Sequence, residues 1–152
     1  MPDALPPDQP QAARRRWMAV LARASSDELG ERLGTLPDYR VLRGPEAGLV
    51  MVRGRTGGGG APFNLGEMTA TRCTVRTETG QVGHAYVAGR SERLAELAAL
   101  ADALLQDPAR QPALLETLVE PLAAAQRARR EAIAAKAAAT RVQFFAMRNM
   151  RS

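Results

Sequence analysis

The sequence has few of the side chains on which metal binding and catalysis usually depend. It contains one cysteine, Cys73, and one histidine, His84. A single cysteine cannot form an intrachain disulfide, and with one histidine it cannot supply the four ligands of a structural zinc site. We therefore expect no metal site, no catalytic residue and no cofactor bound by this chain alone.

Long apolar segments are also lacking. No run approaches the roughly 18 residues that a membrane-spanning helix requires. The N-terminal ten residues, MPDALPPDQP, lack the basic start and apolar centre of a secretory signal. The sequence therefore predicts a cytoplasmic protein with no membrane partner.

Aromatic residues make up only 4% of the chain, whereas positive charge is in excess. Lysine and arginine total 21 against 16 acidic residues, which gives a net charge of +5, and Lys136 is the only lysine. Arginine forks favour the recognition of phosphates and carboxylates. The charge is compatible with nucleic acid, a nucleotide or an acidic protein as partner, and it does not choose among them.

The length of 152 residues suits one domain. Residues 1–12 are proline-rich and predict a disordered tail, which leaves 13–148 as a single domain. Apolar residues at helical spacing around Trp17 predict a first helix. Ser25 and Glu28 have the spacing of a capping box, which predicts that a second helix starts there.

The centre of the chain predicts strands and the end predicts helices. Residues 39–43 and 49–53 read as one hairpin, with its turn at 46–48, and residues from Glu67 to Ala88 read as a second hairpin. Ser91 is a candidate cap for the first of the C-terminal helices. The pattern predicts an α+β fold, in which an antiparallel sheet of about four strands is flanked by N-terminal and C-terminal helices.

A glycine tract at 57–60 separates two of the predicted strand regions. It lacks the lysine and the following hydroxyl of a P-loop. One interpretation is a flexible connection between strands. The other is a nest of backbone N–H groups that binds an anion beside Arg53 and Arg55.

Two further interpretations remain open from the residues alone. Cys73 and His84 lie on neighbouring predicted strands and could form a nucleophile pair, although no third orienting group accompanies them. The two N-terminal helices could form a nucleic-acid reader. Asp27, Glu28 and Glu31 would then repel the phosphates, so nucleic acid is the alternative and not the leading hypothesis.

The C-terminal segment combines a basic, alanine-rich helix with an apolar end. Seven basic residues and one acid lie between Arg127 and Arg151. The apolar end either docks on another chain or folds back onto the sheet. The candidate interface residues are Trp17, Val142, Phe144, Phe145 and Met147.

The ordered motifs of this sequence resemble the PhnG family, the small subunit of the bacterial carbon–phosphorus lyase core complex. The resemblance covers residues 14–148. It rests on RWMAVLA at 16–22, DYRVLR at 38–43, EAGLV at 46–50, RTGG at 55–58 with Phe63, EMTATRC at 67–73, GRS at 89–91, ALADAL at 99–104 and RVQFFAM at 141–147.

The resemblance implies a role in the first committed step of phosphonate use. In that step the complex transfers the ribose triphosphate of MgATP to an alkylphosphonate such as methylphosphonate and releases adenine. It implies a non-catalytic subunit that is inactive alone and whose partners are the larger, nucleosidase-like phosphonate-activating subunit and the other core subunits. Arg53, Arg55 and Arg72 are the residues expected to contact substrate phosphates.

Overall fold

In a computed structural model, which describes residues 9–55, 57 and 59–142, two helices precede three strands and a helical C-terminal part. The elements are α1 (Gln9–Leu21), α2 (Ser26–Leu33), β1 (Tyr39–Gly54), β2 (Phe63–Thr77), β3 (Val82–Ala88), α3 (Glu92–Leu105), α4 (Gln111–Leu114) and α5 (Glu120–Ala139). One π-helical turn, Leu115–Val119, joins α4 to α5. The predicted α+β class is confirmed.

Helix α2 begins where the local signals place it, whereas α1 begins earlier than predicted. Ser25 caps α2 in a capping box, because its side chain accepts a hydrogen bond from the Glu28 N–H while the Glu28 carboxylate accepts one from the Ser25 N–H. Helix α1 begins at Gln9, inside the segment predicted to be a tail. Residues 1–8 lie outside the described part of the chain.

The sheet is antiparallel in the order β1-β2-β3, so the prediction of four strands is wrong by one. Residues 39–43 and 49–53 belong to the single strand β1. The Gly44-Pro45 segment is a bulge in this strand and does not reverse it, since Arg43 pairs with Thr74 and Glu46 pairs with Arg72 on either side. The reversal lies at the glycine tract, between Gly54 and Phe63. The second predicted hairpin, β2–β3, is confirmed.

Helix α3 covers one face of the sheet and forms the centre of the core. Inward side chains alternate along β2 and β3, and the buried set includes Cys73, Val75 and Val87. Gly83 allows the close approach, because a Cβ there would overlap Ala99 O and lie 2.5 Å from Ala103 N. The other face of the sheet carries exposed residues such as Arg72, Arg76 and Tyr86. We call it the open face.

Strand β3 covers only part of β2. Its pairing runs from Ala88 opposite Ala70 to Val82 opposite Arg76. Residues 49–54 of β1 and 63–69 of β2 therefore continue as a ribbon of two strands, with the glycine tract at its tip. We call this ribbon the arm.

Candidate functional site

The open face is strongly basic at the end of the sheet that lies away from the glycine tract. Arg40 and Arg76 are directly paired across β1 and β2, and Arg43 and Arg72 lie in the following rows. Like charges in directly opposite positions of a sheet repel each other. Such a surface attracts anions.

Arg72 belongs to a small ion-pair network on this face. The Glu46 carboxylate accepts hydrogen bonds from Arg72 Nε at 2.6 Å and from Arg43 Nε at 3.1 Å. These hydrogen bonds, with Arg72 making the larger contribution, hold the pKa of Glu46 below its ordinary value. The Arg72 side chain thus links the two strands beside the bulge.

Arg53 and Arg55 lie at the other end of the β1–β2 hairpin. Arg53 pairs with Asn64, whereas Arg72 lies eight residues further along β2, a separation of about 27 Å at the ordinary rise of a strand. Both Arg53 and Arg55 are exposed, and neither takes part in an ion pair within the described residues. Arg53 and Arg55 therefore lie at one end of the hairpin, and Arg72 lies apart from them.

Cys73 and His84 do not form a pair. Cys73 is buried under α3, whereas His84 is exposed and Thr74 is its cross-strand partner. The His84 Nδ1 atom lies 3.1 Å from Thr74 Oγ1. Burial raises the pKa of the Cys73 thiol, which disfavours the thiolate. The interpretation of these two residues as a nucleophile pair is wrong, because neighbouring positions on a strand point to opposite faces.

Trp17 is a core residue, only 4% exposed. Its indole Nε1 donates a hydrogen bond of 2.8 Å to Asp102 Oδ1. This placement corrects the expectation that Trp17 contacts a partner, since the side chain is already covered by its own chain. The periodicity around Trp17 indicated an apolar stripe, and that stripe packs inward.

Asp102 is the polar residue whose importance the sequence analysis missed. Its fully buried carboxylate accepts hydrogen bonds from the Arg14 and Trp17 side chains and from the backbone N–H of His84. The Gln106 side chain donates a further, longer one. A lone aspartate within the apolar segment ELAALADALL was the signal available, because buried carboxylates need such partners.

The second half of α5 packs on little of its own chain. All residues from 127 to 139 are exposed, and Ile133 is 67% exposed. Arg129 forms an ion pair with Glu28 of α2. Val142 is exposed at the end of the described chain, whereas Phe144, Phe145 and Met147 lie outside the described residues.

Clusters of metal-binding side chains and membrane-spanning helices are both absent from the described residues. No group of three or more His, Cys, Asp or Glu side chains in that part of the chain is placed to hold a metal ion. None of the helices described is both long and apolar enough to cross a bilayer.

These features define a small α+β protein with exposed arginines and exposed apolar surfaces. Residues 12–149 match the family model of the phosphonate metabolism protein PhnG. A relative from Rhizobium meliloti (strain 1021) is 49% identical over 139 residues, which cover 90% of this chain and 88% of the relative. That relative is the alpha-D-ribose 1-methylphosphonate 5-triphosphate synthase subunit PhnG. The chain belongs to the PhnG family.

Proposed function

We propose that this chain is a subunit of an alpha-D-ribose 1-methylphosphonate 5-triphosphate synthase and works only within that assembly. The observation that carries the proposal is the 49% identity with a subunit of that name, which extends over nearly the whole of both chains. In the proposed reaction the complex uses MgATP and an alkylphosphonate and releases adenine. The larger nucleosidase-like subunit performs the chemistry, and this chain is its non-catalytic partner.

The C-terminal helix supports an association with other subunits. Its exposed second half shows alanines and Ile133 to solvent, and such a helix gains little stability from its own chain. The sequence beyond it, with Phe144, Phe145 and Met147, adds apolar side chains. We propose that residues 127–147 dock on a partner subunit of the synthase in the cytoplasm.

The distance between the arginines limits which of them can contact the same triphosphate. A single triphosphate is much shorter than the distance from Arg53 to Arg72 along β2. We propose that Arg53 and Arg55 contact substrate phosphates when the complex is assembled. Arg72 instead holds the bulged part of β1 against β2 through Glu46.

The test is reconstitution with and without this chain. The tagged chain is co-expressed with the other synthase subunits, purified from phosphate-starved cells, and the methylphosphonate-dependent release of adenine from MgATP is measured. We expect the larger subunit to be recovered in near-equal amount and the activity to require this chain. Recovery of the chain alone, or full activity in its absence, would refute the proposal.

A deletion tests the C-terminal docking separately. Removal of residues 141–152 should abolish recovery of the partner subunit, while the Ser25→Ala variant, which weakens only a helix cap, should retain it. Unchanged recovery after the deletion would show that the C-terminal segment is not needed for assembly.

A further inference from the structure

We infer that the arm docks in an apolar groove of another synthase subunit, the one that holds the triphosphate. In this position the arm places Arg53 and Arg55 next to the bound triphosphate. The inference rests on the proposed function, because it takes the other synthase subunits as the partners. It goes beyond that function by naming the docking element, its orientation and what lies at its tip.

The arm carries large apolar side chains that its own chain leaves uncovered. They are Leu49 (65% exposed), Met51 (50%), Phe63 (45%), Leu65 (54%) and Met68 (39%). Neighbouring apolar residues occupy both faces of the ribbon, because Leu49 and Met51 alternate with Val50, which pairs with Met68. Five large exposed apolar side chains on one two-stranded element indicate an interaction site.

The arm also lacks the support that such a ribbon needs in water. Helix α3 begins beside Thr71, whose hydroxyl accepts a hydrogen bond from the N–H of Ser91, the cap of that helix. The arm extends beyond this point, and β3 ends opposite Ala70. A ribbon of two strands is only marginally stable by itself, so a covering partner would stabilise it.

The charge at the tip identifies the kind of partner. Arg53 and Arg55 both precede the glycine tract, and neither forms an ion pair with an acid in the described residues. Two arms of this chain packed tip to tip would bring these arginines together. If the tip of one arm packed beside the start of the other arm, its arginines would meet the group of Arg43, Glu46 and Arg72, which also carries a net positive charge. A second copy is therefore disfavoured, and a groove that ends at a bound polyanion is favoured.

The glycine tract suits the placement of the arm next to a bound phosphate. Its described glycines, Gly57, Gly59 and Gly60, lie at the tip of the arm, and Gly57 and Gly60 have positive φ values of 69° and 88°, a region that suits glycine. Because these glycines carry no side chain, the backbone at the tip can approach a phosphate closely. The arm then combines apolar side chains that supply affinity with arginines that supply electrostatic contact to the substrate.

The experiment compares two substitutions on the same strand. Met51 lies in the arm and Leu42 lies outside it, and each is 50% exposed. Met51→Asp should lower recovery of the triphosphate-binding subunit by about tenfold or more, since loss of one buried apolar side chain suffices for that factor. Leu42→Asp should leave recovery unchanged. Equal recovery with both variants would overturn the inference, while failure of the unmodified chain to recover any subunit would overturn the proposed function instead.

A second measurement does not depend on disrupting the interface. Met51→Cys gives this chain its only exposed cysteine, since Cys73 is buried, and the variant chain is labelled with a photo-crosslinker before it is combined with the other subunits. We expect crosslinks to the triphosphate-binding subunit and none from Leu42→Cys. Crosslinks between two copies of this chain, to a subunit that holds no triphosphate, or to nothing at all would each refute the inference.

The tip is tested apart from the docking surface. Arg53→Ala with Arg55→Ala should leave recovery of the partner near its normal level and raise the KM for MgATP. If that variant assembles normally and its KM is unchanged, the arm does not reach the triphosphate.

Discussion

The indole N–H of Trp17 donates a hydrogen bond of 2.8 Å to the fully buried carboxylate of Asp102, and this contact joins α1 to α3. The same carboxylate accepts the backbone N–H of His84 at 2.9 Å and two hydrogen bonds from Arg14. One side chain therefore fixes the first helix and an edge strand to the central helix. These four hydrogen bonds and a longer one from Gln106 satisfy a charge that would otherwise be costly to bury.

Substitution of Asp102 should be strongly destabilising. Asp102→Ala leaves the indole N–H and the His84 N–H without acceptors, so we expect the free energy of unfolding to fall by about 3 kcal/mol or more. Arg14→Ala should cost only about 1 kcal/mol, because that side chain is one-third exposed. Urea denaturation measures the loss in the free energy of unfolding for both variants, provided that the m-value is unchanged. Equal losses for the two variants would contradict the central role of the carboxylate.

Gly83 should tolerate no side chain. An alanine Cβ would overlap Ala99 O and lie 2.8 Å from Ala103 Cβ, so β3 and α3 would have to separate. We expect Gly83→Ala to destabilise the chain by about 3 kcal/mol. Gly48→Ala, in β1 with no atom within 4 Å of the added Cβ, should change stability by less than about 1 kcal/mol. Thermal unfolding of both variants tests this prediction, and similar Tm values would mean that β3 and α3 are not in close contact.

Tyr39 should ionise late. Burial and then its hydrogen bond of 2.6 Å to Glu96 raise the pKa of Tyr39 to about 12. The unfolded chain deprotonates this phenol near pH 10, so the associated stability is present below that pH and is lost as the pH rises toward 12. Ultraviolet titration of the phenolate, with Tyr39→Phe as control, should show one late tyrosine. If Tyr39→Phe removes a titration near pH 10, the hydrogen bond is absent in solution.

Arg55 should affect substrate binding without affecting assembly. A lost hydrogen bond between a charged donor and a phosphate corresponds to about a tenfold rise in KM. We therefore expect that rise for MgATP with Arg55→Ala in the assembled complex. Arg15→Ala removes another exposed arginine, from α1, and should leave the KM unchanged. A rise of the same size in both variants would indicate a general effect of net charge on the complex and no specific contact.

Local signals in the sequence predicted the starts of α2 and α3. The capping box at Ser25 and the cap at Ser91 are both present, because a cap depends on residues within one turn. The second hairpin was also predicted from adjacent residues. These features form from contacts that are close along the chain, so the sequence displays them directly.

The strand count was wrong for a physical reason. Gly44 and Pro45 resemble the end of a strand, but pairing to β2 continues past them with a bulge. A Cβ at Gly44 would lie 2.5 Å from Arg72 O, so the glycine there permits close approach of the two strands and does not reverse the chain. Only the partner strand, more than 25 residues later, distinguishes these two uses of glycine.

The candidate site was predicted only in part. The sequence indicated a basic chain with arginines beside a glycine tract, and the structure places Arg53 and Arg55 at the tip of the arm. It could not show that Arg72 is paired with Glu46 or that Trp17 faces Asp102, because these contacts join residues 26 and 85 positions apart.

The amino-acid sequence by itself determined the α+β class, the helix caps, the net positive charge and the resemblance to the PhnG family, since composition and short-range patterns carry all of these. The tertiary structure alone decided which face of the sheet is covered, which arginines lie together and which apolar residues stay exposed. Those properties depend on strand register and on how α3 packs against the sheet. Both are set by contacts between distant parts of the chain.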